Sequence, residues 1–188
     1  MKLAIFASGD GSNAENIIKY FNSRDCGGEV ALVVSNRQSA KVVQRARQLN
    51  VPVAVLSRDE INDPDKLCHL MDRHDINAVI LAGFLLPIPT FLIKRYNNLI
   101  INIHPALLPK YGGKGMYGRH VHEAVVAAGE AETGITIHYV TEHYDEGEII
   151  FQAKTAISPD DGPDEVAEKV HALEYLYYPK VIAETLLR

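Results

Sequence analysis

Short runs that are apolar from end to end, with helix-periodic stretches between them, restrict this chain more than any other feature. Lys2 to Ala7 is the first run, and Glu29 to Ser35 (EVALVVS) the second. Val53 to Leu56, Ala78 to Ala82 (AVILA) and Leu99 to Ile103 follow. Between them apolar residues recur at helical spacing. Ile17, Ile18 and Phe21 lie on one face of Ala14 to Phe21, Val42, Val43, Ala46 and Leu49 on another, and Leu67, Leu70 and Met71 mark a third helix. A strand that is apolar on both faces must be covered on both faces, so this half predicts a parallel sheet with helices on either side.

The second half differs. Gly134 to Thr141 (GITIHYVT) and Ile149 to Ile157 are longer and more alternating, with the polar turn Glu142 to Gly147 between them. That pattern predicts an antiparallel addition to the sheet. Pro163 suits the first turn of a helix, which is expected to reach Leu187 with an interruption at Pro179. The fold class expected is α/β: an open, mostly parallel twisted sheet with helices on both faces, Rossmann-like, plus the antiparallel C-terminal part. A length of 188 residues suits one domain or two lobes sharing a core.

Several functional classes are disfavoured by bulk properties. A net charge of -5 argues against a nucleic-acid partner, which calls for a basic face. No apolar run approaches a membrane span. The apolar N-terminus ends at once in Ser8-Gly9-Asp10-Gly11 without an A-x-A-like cleavage site, so it reads as a buried strand and not a signal peptide. Cys26 and Cys68 are too few for a disulfide framework, which fits a reducing cytoplasm.

Two places carry chemistry. The first is Ser8-Gly9-Asp10-Gly11-Ser12-Asn13, between the first strand and the first helix. Glycines let the backbone approach a ligand, and the helix N-terminus offers N–H groups and partial positive charge to a phosphate. Ser12 and Asn13 could add side-chain hydrogen bonds or cap the helix. Gly9, Gly11 and Ala14 also satisfy G-x-G-x-x-A, a dinucleotide fingerprint. The second strand then ends in Ser35-Asn36-Arg37, where Arg37 could serve an NADP 2′-phosphate. A reductase is therefore open on this loop alone, as is a sugar-phosphate sensor.

The second place is the strand end Asn102-Ile103-His104-Pro105. Residues two apart on a strand share a face, and ligands of open α/β sheets bind beyond the carboxyl ends of strands. An amide beside an imidazole there suits a reaction that builds charge on a carbonyl oxygen. Asp145, in the polar turn, could pair with His104 and favour its protonated form. His120 and His122 are two apart on a predicted helix and do not share a face, and neither C-x-x-C nor H-E-x-x-H occurs, so no metal is expected.

Taken together, FASGDGSN at 6–13, LAGF at 81–84, NIHPALLPKY at 102–111, GITIHYVTEHYDEG at 134–147 and LEYLYYP at 173–179 resemble the formyltetrahydrofolate-dependent formyltransferase family. The resemblance runs nearly end to end. The S-G-x-G-S-N loop and the short chain point within it to the phosphoribosylglycinamide formyltransferases, since methionyl-tRNA formyltransferases differ at that loop and carry a further C-terminal domain. The resemblance implies a single formyltransferase domain, with a phosphate-binding lobe over 1–101 and a catalytic, folate-binding lobe over 102–188. It implies 10-formyltetrahydrofolate as co-substrate, glycinamide ribonucleotide as acceptor, and a monomer or homodimer without nucleic-acid, membrane or metal partners. Gly11, Ser12 and Asn13 would hold the substrate phosphate, and Glu174 the ribose. Asn102, His104 and Asp145 would be the catalytic group. Leu85, Leu86, Pro87 and Ile88 would line the pterin pocket, largely through backbone groups, the turn at 140–145 would close its other side, and Asn102 and Val140 would also contact the folate. Three features depart from relatives. The loop Gly112 to Gly118 (GGKGMYG) is longer, Leu86-Pro87 replace an Arg found in some, and the folate-tail Arg has no clear counterpart, leaving Arg58 and Lys66 as nearby candidates.

Overall fold

The computed structural model describes residues 1–24 and 27–187. Cys26 lies outside the described residues, while Cys68 is a free thiol. Among the described residues seven strands, β1 (Lys2–Phe6), β2 (Glu29–Ser35), β3 (Val53–Val55), β4 (Ala78–Leu81), β5 (Ile100–His104), β6 (Glu132–Tyr139) and β7 (Ile149–Ala156), form one sheet in the order β3-β2-β1-β4-β5-β6-β7. The chain divides into two compact units, Met1–Ile101 with Ile182–Arg188, and Asn102–Val181.

In the first unit, β1 (Lys2–Phe6) pairs in parallel with β2 (Glu29–Ser35) and β4 (Ala78–Leu81), and β2 in parallel with β3 (Val53–Val55). Leu3 to Phe6 and Ala78 to Ile80 are wholly inaccessible, as expected for strands covered on both faces. Helix α1 (Ser12–Asn22) buries Ala14, Ile17, Ile18 and Phe21, and α2 (Lys41–Gln48) buries Val42, Val43 and Ala46. Two short helices here have no apolar periodicity that would announce them. Helix α3 (Arg58–Ile61) is set by a capping box between Ser57 and Glu60, and α5 (Thr90–Arg95) follows Pro89. Helix α4 (Pro64–Arg73) starts on the Asp63 cap, with proline in its first turn.

Strand β5 (Ile100–His104) carries the chain into the second unit, where α6 (Arg119–Ala127) precedes the last two strands. There β6 (Glu132–Tyr139) and β7 (Ile149–Ala156) pair antiparallel, as the alternating pattern predicts. Their ladder slips at one point: Ile137 faces Phe151 but His138 faces Ile149. Such an irregularity re-aims the side chain beside it.

The final helix, α7 (Pro163–Leu186), corrects one expectation. It runs through Pro179 without interruption. Proline costs the helix one hydrogen bond, but Tyr178, Val181 and Ile182 around it are buried, and that burial outweighs a local defect. Residues after Val181 also group with the first unit, so the second ends before the C-terminus. No helix among the described residues is long and apolar enough to cross a membrane.

Candidate active site

At the end of β5, Asn102 and His104 share a face, and Pro105 stops the strand. The corner beyond is held from β6 and β7. Thr136 donates its hydroxyl to the Ala106 carbonyl (2.7 Å) and accepts from the Leu108 amide (3.0 Å), while the Gln152 amide reaches both Thr136 (2.9 Å) and the Leu108 carbonyl (3.1 Å). Thr136 is fully buried, so these bonds are made in a medium that penalises their loss.

The turn does fold over this strand end. A carboxylate oxygen of Asp145 lies 3.6 Å from His104 Nδ1, and its other oxygen lies 3.6 Å from His138 Nε2. These are ionic distances, longer than direct hydrogen bonds. The Gly113 amide donates to the same carboxylate at 2.9 Å. Asp145 holds a left-handed backbone, φ 56°, and so does Tyr111 at 57°. Non-glycine residues in this conformation cluster at functional sites because surrounding contacts must hold them there. A Cβ at Gly112 would push on the end of the Leu108 side chain and crowd Asp145.

Hydrogen-bond partners fix the protons. His104 Nε2 is 2.7 Å from the Tyr111 carbonyl oxygen, which only accepts, so Nε2 carries a proton and donates it. Nδ1 then faces an acceptor as well, the Asp145 carboxylate. Such an environment favours the doubly protonated ring. Burial opposes it: His104 is 3% exposed, and desolvation pushes its pKa below the ordinary 6.5, outweighing the upward pull of Asp145 and of the Tyr111 carbonyl. Asp145 thus pulls the ring toward its protonated form, as expected, while burial outweighs that pull in this state. Asp145 itself sits below the ordinary carboxylate range. Burial works against this, but His138, His104 and the Gly113 amide prevail.

His138 joins the cluster although its sequence context marks only a strand. Its Nδ1 lies 2.9 Å from the Tyr139 carbonyl oxygen, and its Nε2 lies 3.1 Å from the side-chain amide of Asn102. His138 is 2% exposed. The strand period could have shown that it faces one side of β6, but not that Asn102 meets it. His122, on α6, is also buried, while His120 is exposed and paired with Glu123 at 3.5 Å. Glu174, on α7, accepts from or pairs with His171 Nδ1 at 3.2 Å, and its charge raises the His104 pKa slightly. Val140 follows β6 directly and is half-buried.

In the first unit the glycine loop opens α1 as the sequence suggests, but differently in detail. Gly11 is the N-cap in a left-handed conformation (φ 79°), and no side chain caps the helix, so neither Ser12 nor Asn13 serves as cap. Gly11 has no room for a Cβ, which would overlap Val42 of α2. Leu85 and Leu86 follow β4 in an irregular segment with Pro87 and Ile88. Ser8 anchors it, a role not seen from sequence: its hydroxyl donates to Asn36 (2.6 Å) and accepts the Leu85 amide (2.9 Å), and its own amide donates to the Gly83 carbonyl (3.0 Å). Leu85 remains 43% exposed.

Known proteins place this geometry in a class. Residues 1–182 match the formyl transferase family. The chain is 38% identical over 186 residues to the chloroplastic phosphoribosylglycinamide formyltransferase of Arabidopsis thaliana, covering 96% of this chain and 64% of that protein. It therefore spans less than two thirds of that relative. It is 35% identical to phosphoribosylglycinamide formyltransferase of Haemophilus influenzae, over 96% of this chain and 85% of the relative. The crystal structure of glycinamide ribonucleotide transformylase 1 from Geobacillus kaustophilus superposes with a TM-score of 0.90 at 34% identity, covering all of this chain and 98% of that one. The chain belongs to the formyl transferase family, in its phosphoribosylglycinamide formyltransferase branch.

Proposed function

We propose that this protein moves the formyl group of 10-formyltetrahydrofolate to the glycinamide amine of 5′-phosphoribosylglycinamide, giving N-formylglycinamide ribonucleotide and tetrahydrofolate in the cytoplasm. The observation that carries this reading is the grouping of half-buried Asn102 and Asp145 with the buried His104 and His138 in a chain of this family. The free amine attacks the formyl carbon. A tetrahedral intermediate forms, and the carbon–nitrogen bond to the folate then breaks. Asn102 has an amide donor and His104 an imidazole to offer the developing oxyanion. Asp145 orients His104 and favours its charged form. The proton lost by the amine reaches the departing folate nitrogen, and no covalent enzyme intermediate is required.

His104 Nε2 is engaged by the Tyr111 carbonyl in this state, so donation to a ligand exchanges that bond. We assign the substrate phosphate to the N–H groups of Gly11, Ser12 and Asn13 at the uncapped start of α1, and the ribose to Glu174. The pterin is assigned to Leu85, Leu86, Pro87 and Ile88, with Asn102 and Val140. The half-exposed Leu85 and its anchored loop support this.

A formyl-transfer assay with glycinamide ribonucleotide and 10-formyltetrahydrofolate tests the reading. Formylated product is expected only when both are present. Thermal stabilisation by NADPH without stabilisation by folate or sugar phosphate would instead support the reductase that G-x-G-x-x-A allows.

A further inference from the structure

Two carboxylates sit at the glycine loop, Asp10 within it and Glu15 in the first turn of α1. Bare, they would repel a phosphate dianion and set negative charge beside the N–H groups meant to receive it. One side chain from α2 meets both. Arg45 donates from Nε to the Asp10 backbone carbonyl (3.0 Å) and from Nη2 to the Asp10 carboxylate (3.0 Å), and Nη1 bonds the Glu15 carboxylate. Lys41 lies 3.4 Å from the other Asp10 oxygen, and Lys19 pairs with Glu15. A further stitch runs from the Val42 amide to the Gly9 carbonyl at 3.2 Å. Arg45 thus grips the loop by its backbone as well as by charge. Most surface ion pairs do only the second. A lysine, with one compact head, cannot fork to all three groups.

We propose that Arg45 is a positioning residue for the phosphate-binding loop: it fixes the Asp10 carbonyl so that the amides of Gly11 to Asn13 keep their direction, and together with Lys41 and Lys19 it offsets the charge of Asp10 and Glu15 so that an anion meets mainly N–H dipoles. The proposal rests on the assignment of substrate phosphate to that loop. Both carboxylates stay below their ordinary range, which keeps them charged at neutral pH and in need of a counterion. For Glu15 the cause is the hydrogen bond from Lys19 and then that from Arg45. For Asp10 burial works in the opposite sense and is outweighed by Arg45 and Lys41.

The test uses the full chain with Arg45→Met, Arg45→Lys, and Arg45→Met combined with Asp10→Asn and Glu15→Gln. Arg45→Met should raise the KM for the sugar-phosphate substrate about tenfold or more, the scale of a lost charged hydrogen bond, and leave kcat and the folate KM within about twofold. Arg45→Lys should lose less, in the same substrate only. The triple variant should recover part of the loss, since the repelling carboxylates are gone, whereas a merely structural role would not be rescued by removing its partners.

Backbone amide NMR with ribose 5-phosphate separates the two layers of argument. If the amides of Gly11 to Asn13 do not shift in the wild-type protein, the loop assignment fails and takes the proposal with it. If they shift equally in wild type and Arg45→Met at matched concentrations, the loop assignment stands and the role of Arg45 is overturned. Equal weakening of both substrates with a lowered Tm overturns it too, by reducing Arg45 to a stability contact. Should Arg45→Met fail to fold, a wild-type phenotype for Arg45→Lys would overturn the proposal by itself.

Discussion

The two units make their chemistry from different material. In the first, the candidate phosphate loop works through backbone: Gly11 in a left-handed conformation, an uncapped helix start, and charged side chains that hold the loop from behind. In the second, the candidate catalytic group is made of side chains, two buried imidazoles and a half-buried carboxylate tied to Tyr111, Tyr139 and Gly113 through main-chain groups. The difference is one of consequence. A backbone site fails when geometry shifts, whereas a buried titratable site fails when a single proton or charge is misplaced, because desolvation magnifies each interaction.

The sharpest way to break this contrast is to remove one charge from the second unit. Asp145→Asn keeps the shape of the side chain, and we expect kcat and kcat/KM to fall together by on the order of 10²-fold or more with KM little changed. His104→Ala should cost at least as much, and the double variant little more than the worse single one. Near-normal turnover by Asp145→Asn in steady-state assays would place the decisive acid elsewhere, with His138 next to be tested.

A steric change should be felt where strands pack and not where a loop is open. A Cβ at Gly134 would run into the Ala153 carbonyl of the neighbouring strand, so Gly134→Ala should destabilise by about 2–3 kcal/mol in chemical denaturation. Gly9 has open space around its Cβ position, and Gly9→Ala should stay within about 0.5 kcal/mol. Comparable losses at both positions would contradict the distinction.

Leu85→Asp introduces a carboxylate into an apolar loop of the first unit. The folate KM should rise about tenfold while the sugar-phosphate KM moves little. Equal changes in both constants would show that this loop does not face the pterin.

A subtler effect is expected in the titration of His104. Its midpoint should lie below 6.5 in the wild-type protein and lower still in Asp145→Asn, because burial already depresses it and the carboxylate is what pulls it upward. An NMR titration reads both values, and an unchanged midpoint would mean that Asp145 does not act on the ring. The smallest effect belongs to an exposed pair of the second unit, Arg119 with Asp164. Asp164→Asn should leave the unfolding midpoint and kcat essentially unchanged, against the large loss of kcat at Asp145, if burial is what gives a carboxylate its weight.

Much of the architecture is legible in the residue pattern, because burial on both faces leaves the middle of a strand few polar positions. EVALVVS at 29–35 becomes β2 with its boundaries unchanged, and the alternation after Gly134 becomes an antiparallel pair. Asn102 and His104 can be placed on one face from spacing alone, and glycine at position 11 announces a turn no other residue would make. What spacing cannot supply is the meeting of distant segments. His138 reaches Asn102 across 36 residues, Asp145 reaches two imidazoles through a left-handed turn, and Ser8 binds a loop 77 residues away. Nor does the sequence tell whether Asp145 or burial controls His104, since the sign of that balance depends on how completely water is excluded. Local pattern is set by the chain's own periodicity and sterics, but a pKa and a hydrogen-bond partner belong to the surroundings, and those exist only once the chain has folded.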